Sequence, residues 1–450
     1  MKKLFGTDGI RGVAGQSPLD AATVYAVGLA LAHTLAAKTA SPRVLLGMDT
    51  RESSEWIAAV LAAGLAKGGA TVASAGVITT PAIAYLARRH HFSAGVVISA
   101  SHNPGHDNGI KIFGGDGYKL PDEVELRIEE EIFRQLASVE APDPSTVTAP
   151  PSESHFRAEY ESFLLSAVPG LALGDLKLVL DCANGAASII APELFARLGG
   201  TVKLTHDRPD GRNINANCGA LYPATVAAET AATHSDIGVT FDGDADRALF
   251  ADANGHVVNG DAILLLAARD LKSRNMLRDD IVVATTMSNM GLEAALKRDR
   301  ITMLRAPVGD KYVLEMMQAN AASLGGEQSG HILFPHLATT GDGLLTALVV
   351  LDLVRRAGKP LHELTADLKV FPQVIVNVRV KEKKPLLEIA TIADTIQAAE
   401  NELDGNGRVV VRYSGTEPLA RVMIEAESEE RMQHHAKAIA NAIREELGAA

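Results

Sequence analysis

The chain has 450 residues, with 43 Lys and Arg against 55 Asp and Glu and a formal net charge of −12. That balance excludes broad binding to nucleic acid, whose affinity comes from Lys and Arg neutralising phosphates. A content of 47% hydrophobic and 22% charged residues excludes disorder for the bulk of it. At ~150 residues per domain the length alone predicts about three domains. Aromatics at only 4% leave Ala, Leu, Val and Ile to fill their cores.

Residues 1–5 start like a leader, but Gly6-Thr7-Asp8-Gly9 interrupts them before an apolar segment forms. The longest apolar stretch, 21–37, carries Tyr25, His33 and two threonines. It falls short of the ~20 apolar residues of a membrane span and reads as a core helix. A strand at 43–49, a helix at 52–67, a strand at 71–78, a helix at 81–90 and a strand at 94–98 follow. Apolar strands alternating with helices predict βαβ units and a buried parallel sheet. The pattern restarts at 176–181 and again at 280–285. A Pro/Ser-rich connection at 141–152 and turns at Asn254-Gly255 and Phe371-Pro372 separate these blocks. From 374 onward the order strand, helix, two strands, helix is an α+β pattern. The expected fold is therefore α/β, with three similar mixed-sheet domains over 1–152, 153–254 and 255–370, and an α+β domain over 371–450. Cys182 and Cys218 have no CxxC spacing, which indicates neither a disulfide nor a zinc site and suits a reducing cytoplasm. A soluble cytoplasmic protein with no membrane partner is expected.

Four polar loops lie at predicted strand ends, where α/β folds bind ligands. Ser99-Ala100-Ser101-His102-Asn103-Pro104 sets a serine beside a histidine. The GxSxG elbow is missing, and adjacent residues rarely form a nucleophile–base pair, so alone this is a capping turn. Asp242-Gly243-Asp244-Ala245-Asp246-Arg247 places carboxylates at every second position, which on extended backbone point the same way. Such a cluster repels itself unless oxygens hold a hard divalent cation. A solvated acidic turn or a Ca²⁺-type loop is the plain alternative, although the EF-hand spacing is not met. Gly325-Gly326-Glu327-Gln328-Ser329-Gly330-His331 suits a polyhydroxylated ligand, or simply a flexible loop with a surface histidine. Arg412-Tyr413-Ser414-Gly415-Thr416-Glu417-Pro418, with Arg421 beyond, has the parts of an anion nest for phosphate.

Together with the opening Phe5-Gly6-Thr7-Asp8-Gly9-Ile10-Arg11-Gly12 and the segment Asn108-Gly109-Ile110-Lys111, these loops resemble the α-D-phosphohexomutase family over almost the whole chain. The resemblance implies four domains around a central cleft, one loop from each, and Ser101 as the phosphoserine that donates and regains a phosphoryl group. It implies one Mg²⁺ per subunit on Ser101, Asp242, Asp244 and Asp246. Arg11, Lys111 and Arg247 would bring positive charge, and His102, Lys111 and His331 are the candidates for acid–base help. Glu327 and Ser329 would hold sugar hydroxyls, and Arg412, Ser414, Gly415, Thr416 and Arg421 the distal phosphate. Gln328 and the N-terminal opening look most like the amino-sugar branch. That branch implies conversion of glucosamine 6-phosphate to glucosamine 1-phosphate through glucosamine 1,6-bisphosphate, as intermediate and activator. The reaction would supply amino-sugar nucleotide and cell-wall precursor synthesis, in a monomer or homodimer. Mannose or glucose phosphates are the alternative substrates; a metal-dependent sugar phosphatase and a non-catalytic sugar-phosphate sensor are the readings from other classes. Four residues depart from the family pattern: Ala245 in the metal loop, Tyr413 before Ser414, and Gly105-His106 after Pro104. The Ala245 methyl is expected to be tolerated where the backbone stays out of positive φ.

Overall fold

Apolar runs bounded by turns form the strands, and in the computed structural model, which describes residues 3–404, 407–414 and 418–449, they assemble into four sheets. The first contains β1 (Ile10–Val13), β2 (Arg43–Met48), β3 (Thr71–Val77), β4 (Ala94–Ile98) and β5 (Asp107–Gly114), in the order β1-β5-β4-β2-β3. Helical crossovers leave β2 parallel to β3 and β4. A short loop then folds β5 back, antiparallel to both β4 and β1. The expected parallel sheet is thus only the inner part of a mixed one.

The second sheet repeats the plan with β6 (Lys177–Asp181), β7 (Thr201–Thr205), β8 (Ile237–Phe241), β9 (Ala248–Asp252) and β10 (Val257–Val258), ordered β10-β9-β8-β6-β7. β6 is parallel to β7 and β8, and β9 runs antiparallel to β8 and β10. Asn254-Gly255 is the turn of the β9–β10 hairpin. The third sheet comprises β11 (Ile281–Thr285), β12 (Thr302–Ala306), β13 (Gly325–Gly326) and β14 (Ile332–Leu333), ordered β12-β11-β13-β14. In all three sheets one polar loop joins two antiparallel neighbours: 99–106 between β4 and β5, 242–247 between β8 and β9, and 327–331 between β13 and β14. The antiparallel return is what fixes each loop at a strand end.

The first core is aliphatic, as the composition requires, with Val24, Leu31, Val44, Ile57, Leu61, Val96 and Ile128 buried together. Helix Ala21–Ala36 meets helix Glu52–Lys67 through two glycines. A Cβ on Gly28 would lie 2.3 Å from the Leu61 carbonyl oxygen, and one on Gly64 2.3 Å from that of Tyr25. The backbones approach too closely for any side chain at either position.

The chain divides into two compact units, Met1–Met287 with Met303–Thr365, and Ser288–Thr302 with Ala366–Ala450. The second holds β15 (Gln373–Arg379), β16 (Gly407–Tyr413) and β17 (Leu419–Ala426), antiparallel in the order β15-β17-β16. Helices Ala390–Leu403 and Glu429–Leu447 contribute Ile392, Ile396, Ile439 and Ile443 to its core, against Val378, Val422 and Ile424. Residues 288–302 lie in sequence within the 255–370 stretch, yet they are fastened to this unit. The Met290 N–H donates to Glu425 Oε1 at 2.9 Å, and Asn289 exchanges bonds with the backbone of Phe371 at 3.0 and 2.9 Å. Among the described residues no helix is long and apolar enough to cross a membrane.

Candidate active site

β4 is buried along its whole length and carries Ser99, Ala100 and Ser101 inward with it. Ser101 has φ +52°, a left-handed conformation that costs a residue with a side chain about 1–2 kcal/mol. Its Oγ donates to Asp242 Oδ2 at 2.5 Å and lies 3.3 Å from His102 Nδ1. Burial, then Arg247 and Arg11, push His102 down to about 4, so its ring is neutral at pH 7.

Asp242, Asp244 and Asp246 converge, one carboxylate oxygen of each lying within 4.8 Å of the others. The route differs from the expected alternation on extended backbone: after β8 the chain turns at Gly243-Asp244, and the turn brings the three side chains together. Ala245 sits at φ +55°, which corrects the expectation that its methyl avoids strain. Burial and then the charges of Asp246 and Asp244 hold Asp242 well above the usual carboxylate range. Burial alone would also raise Asp246, but Lys111, His331 and Arg247 outweigh it and hold this carboxyl well below that range.

Two buried oxygens of the cluster, Asp244 Oδ1 and Asp246 Oδ1, find no hydrogen-bond partner among the described residues. Unpartnered, converging, all-oxygen donors fit a hard divalent cation such as Mg²⁺ and not a soft one. The Lys111 Nζ supplies positive charge here, 2.7 Å from Asp244 and 3.5 Å from Asp246. Thr80 Oγ1 also donates to Asp244 Oδ2, at 2.5 Å.

A partly buried chain of alternating charge continues from the triad. Lys111 lies 3.1 Å from Asp8, and Lys119 bridges Asp8 at 2.6 Å and Asp310 at 2.5 Å. His331 stands between Asp310 and Asp246, 3.7 Å from each. Burial would lower Lys111 and His331, but the surrounding carboxylates outweigh it and raise both above their ordinary values. Arg11 pairs with Asp8 and reaches Asn103 Oδ1 at 3.4 Å. Arg247 donates its backbone N–H to Asp242 Oδ1 at 3.2 Å, and its Nε lies 3.8 Å from Asp246. In the sugar loop Glu327 Oε1 accepts the Gly309 N–H at 3.0 Å, and Ser329 Oγ lies 3.5 Å from Glu327 Oε2. Ser101, His102, Lys111, Arg11, Arg247, His331, Glu327 and Ser329 therefore all lie in the first unit, on three loops and the β1 and β5 strands.

The proposed phosphate nest belongs to the second unit. Arg412 and Arg421 are direct cross-strand partners of β16 and β17. Like charges directly opposite are destabilising, which suits two cations kept to face an anion. Ser414 is buried, and its carbonyl accepts from Lys383 Nζ at 2.7 Å. Gly415 and Thr416 lie outside the described residues.

Sequence reasoning missed Asp8, Asp49, Arg51, Thr80, Lys119, Asn215 and Asp310. Asp8 stands within the quoted opening and Asp49 closes a strand, signals that local reading had in view. Lys119 and Asp310 are joined only by the fold. A further group, Asp181, His206 and Cys218, also brings donor atoms together. Its carboxylate already accepts from the Ala183 and Gly219 N–H groups, Thr240 Oγ1 and the His206 ring, so it fastens loops of the second domain.

Comparison with known proteins gives one family. Residues 2–138 match phosphoglucomutase/phosphomannomutase alpha/beta/alpha domain I, 158–255 domain II, 259–371 domain III and 375–442 the C-terminal domain. A phosphoglucosamine mutase of Koribacter versatilis (strain Ellin345) is 59% identical over 100% of this chain and 98% of its own. A phosphoglucomutase/phosphomannomutase family protein of Burkholderia thailandensis has the same fold, with TM-score 0.79 and 23% identity over 100% of both chains. The Aspergillus fumigatus N-acetylphosphoglucosamine mutase, solved with GlcNAc-6P and magnesium, superposes with TM-score 0.68 at 20% identity, over 98% of this chain and 96% of its own.

Proposed function

The chain belongs to the phosphoglucomutase/phosphomannomutase family, and from that premise we propose that it is an isomerase interconverting glucosamine 6-phosphate and glucosamine 1-phosphate. The observation that carries the reading is the seat of Ser101, buried, with its Oγ 2.5 Å from a carboxylate of the aspartate cluster. The amino sugar is supported by the full-length relative at 59% identity.

Phosphoryl transfer depends on positioning and charge neutralisation more than on covalent machinery. Phosphorylated Ser101 gives its phosphoryl group to the 1-hydroxyl of glucosamine 6-phosphate, and the hydroxyl proton passes to a base. The resulting 1,6-bisphosphate turns end for end, and Ser101 recovers the phosphoryl group from the 6-position. His102, kept neutral, suits accepting a proton. Lys111 and His331, both raised by neighbouring carboxylates, suit stabilising the transferring oxygens, and the proton taken from the attacking hydroxyl is returned to the oxygen that gives up the phosphoryl group. Arg11 and Arg247 add charge on the same side, Glu327 and Ser329 suit the sugar hydroxyls, and Arg412, Ser414, Gly415, Thr416 and Arg421 the distal phosphate. Asp242, Asp244 and Asp246, with an oxygen of Ser101, would hold one Mg²⁺. When bound, such a cation neutralises phosphoryl oxygens and makes the phosphorus more electrophilic. The reading takes the enzyme to be cytoplasmic, in keeping with two buried free thiols, and to act as a monomer or homodimer on amino-sugar nucleotide precursors.

The test is turnover on a panel of the 6-phosphates of glucosamine, glucose and mannose, with Ser101→Ala beside the unaltered protein. The highest kcat/KM is expected for glucosamine 6-phosphate, and no interconversion from Ser101→Ala. Another preferred sugar would overturn the substrate, release of inorganic phosphate without isomerisation would indicate a phosphatase, and normal turnover by Ser101→Ala would remove the mechanism.

A further inference from the structure

Three carbonyl oxygens of the serine loop, those of Ser101, Asn103 and Pro104, are gathered by a single side chain. Arg51 Nη2 donates to Ser101 O at 3.0 Å and Asn103 O at 2.8 Å, and its Nη1 donates to Pro104 O. Its Nε donates to Asp49 Oδ2 at 2.9 Å, and neither side chain of this pair is exposed. Asp49 in turn accepts from Ser99 Oγ at 2.6 Å and Ser54 Oγ at 3.0 Å, and Ser99 Oγ accepts the Ser101 N–H at 2.9 Å. The second domain reaches the same place: Asn215 Nδ2 donates to Ser101 O at 2.9 Å and Asn103 O at 3.0 Å. The metal loop closes in as well, since a Cβ on Gly243 would stand 2.5 Å from Ser101 O.

We propose that Arg51, with Asn215, is a positioning clamp that holds Ser101 in its left-handed conformation so that Oγ keeps facing Asp242 through both phosphoryl transfers. This rests on the mutase reading given above. The carbonyl dipoles of Ser101 and Asn103 converge without a backbone donor, whereas Pro104 O also accepts the Asp107 N–H at 3.1 Å, so the turn opens at the first two unless side-chain donors meet them. A guanidinium, planar with a rigid fork of N–H groups, can satisfy three carbonyls and a carboxylate at once; an ammonium is a point charge that cannot. The Arg51 charge is balanced by Asp49, and its donors are taken by Asp49 and the loop, so it does not serve as a phosphate ligand. Strain of this kind persists only where surroundings over-determine it. Here backbone, Arg51 and Asn215 all fix the one residue that must carry the phosphoryl group. All three bear on the backbone of the serine loop, and each acts through the position of Ser101 Oγ.

The experiment compares Arg51→Lys and Asn215→Ala with the unaltered protein in kcat, KM, Tm and crystal structure. A displacement of the nucleophile by about 1 Å costs about 100-fold in rate. Arg51→Lys, which keeps the charge beside Asp49, is therefore expected to lose about 100-fold in kcat. KM is expected to stay within about twofold, since no substrate contact is lost, with Ser101 leaving the left-handed region. Asn215→Ala is expected to show the same kcat-only loss, at about tenfold, and it carries the test if Arg51→Lys does not fold. Unchanged kcat in a folded variant, or loss of activity in step with the folded fraction alone, would overturn the clamp. So would a crystal structure of Arg51→Lys with Ser101 still left-handed and its Oγ still on Asp242. That last readout needs no substrate, so it separates failure of the clamp from failure of the mutase reading.

Discussion

Ala245 is the point where a single methyl group works against the local backbone. At φ +55° a side chain is disfavoured, and glycine adopts the conformation freely. Ala245→Gly is expected to stabilise the protein by up to about 1 kcal/mol, less whatever the added freedom of the unfolded chain removes, read as a small rise in Tm. His206 offers a pH test away from the aspartate cluster. The hydrogen bond to Asp181 raises it above the ordinary imidazole range. Its contribution is therefore complete below the unfolded value and is lost as pH rises through the folded one. The Tm advantage of the unaltered protein over His206→Gln should shrink as pH rises above the ordinary imidazole range; an advantage that grew with pH would contradict the assignment. At this scale the sequence disclosed the groups that the fold gathers, because Ser101, the three aspartates and Glu327 sit in loops whose composition is itself unusual. It did not disclose Arg51 or Asn215, whose work is done on backbone carbonyls and leaves no compositional mark. The period-two argument for the aspartates named three residues that do converge, but by the wrong geometry, because the chain turns at Gly243-Asp244 and Ala245 takes a positive φ where alternation assumes extension.

Among the elements, the glycine crossing of helices Ala21–Ala36 and Glu52–Lys67 leaves no room for a side chain. Gly64→Ala would press a methyl onto a carbonyl oxygen of the facing helix, an atom that cannot rotate away. Overpacking of this kind costs about 1–3 kcal/mol, and calorimetry should show a lower Tm with the site chemistry intact. Most elements were legible, since helix Glu52–Lys67, strand β4 and helix Glu429–Leu447 fall where apolar periodicity puts them. The antiparallel strands were harder. β5 begins with Asp107-Asn108-Gly109, and β13 and β14 have two residues each, so neither long apolar runs nor clean alternation announces them. Yet these strands return each polar loop to its sheet, and without them the three loops would have no fixed ends.

For the molecule as a whole, a net charge of −12 coexists with Arg11, Lys111, Lys119 and Arg247 set among buried and half-buried carboxylates of the first unit. Local pairing, and not the global sum, decides whether an anionic sugar is admitted. Three carboxylates in one cradle also make the protein's activity answer to divalent ions: chelation should abolish turnover and Mg²⁺ restore it, while added NaCl should not. Activity that survives exhaustive chelation would refute that dependence. The three-domain estimate from length fell short because the C-terminal sheet is small and its pattern differs in kind. That sheet also claims residues 288–302 from far upstream, and Glu425, fully buried, accepts both Arg408 Nε at 2.6 Å and the Met290 N–H. The inheritable module is thus discontinuous. A chimera that exchanges residues 371–450 between relatives at the linear boundary would pair each host's 288–302 with a foreign sheet, leaving a recessed carboxylate matched to a helix it did not evolve beside. Recombination that respects the fold needs a second graft in the middle of the gene.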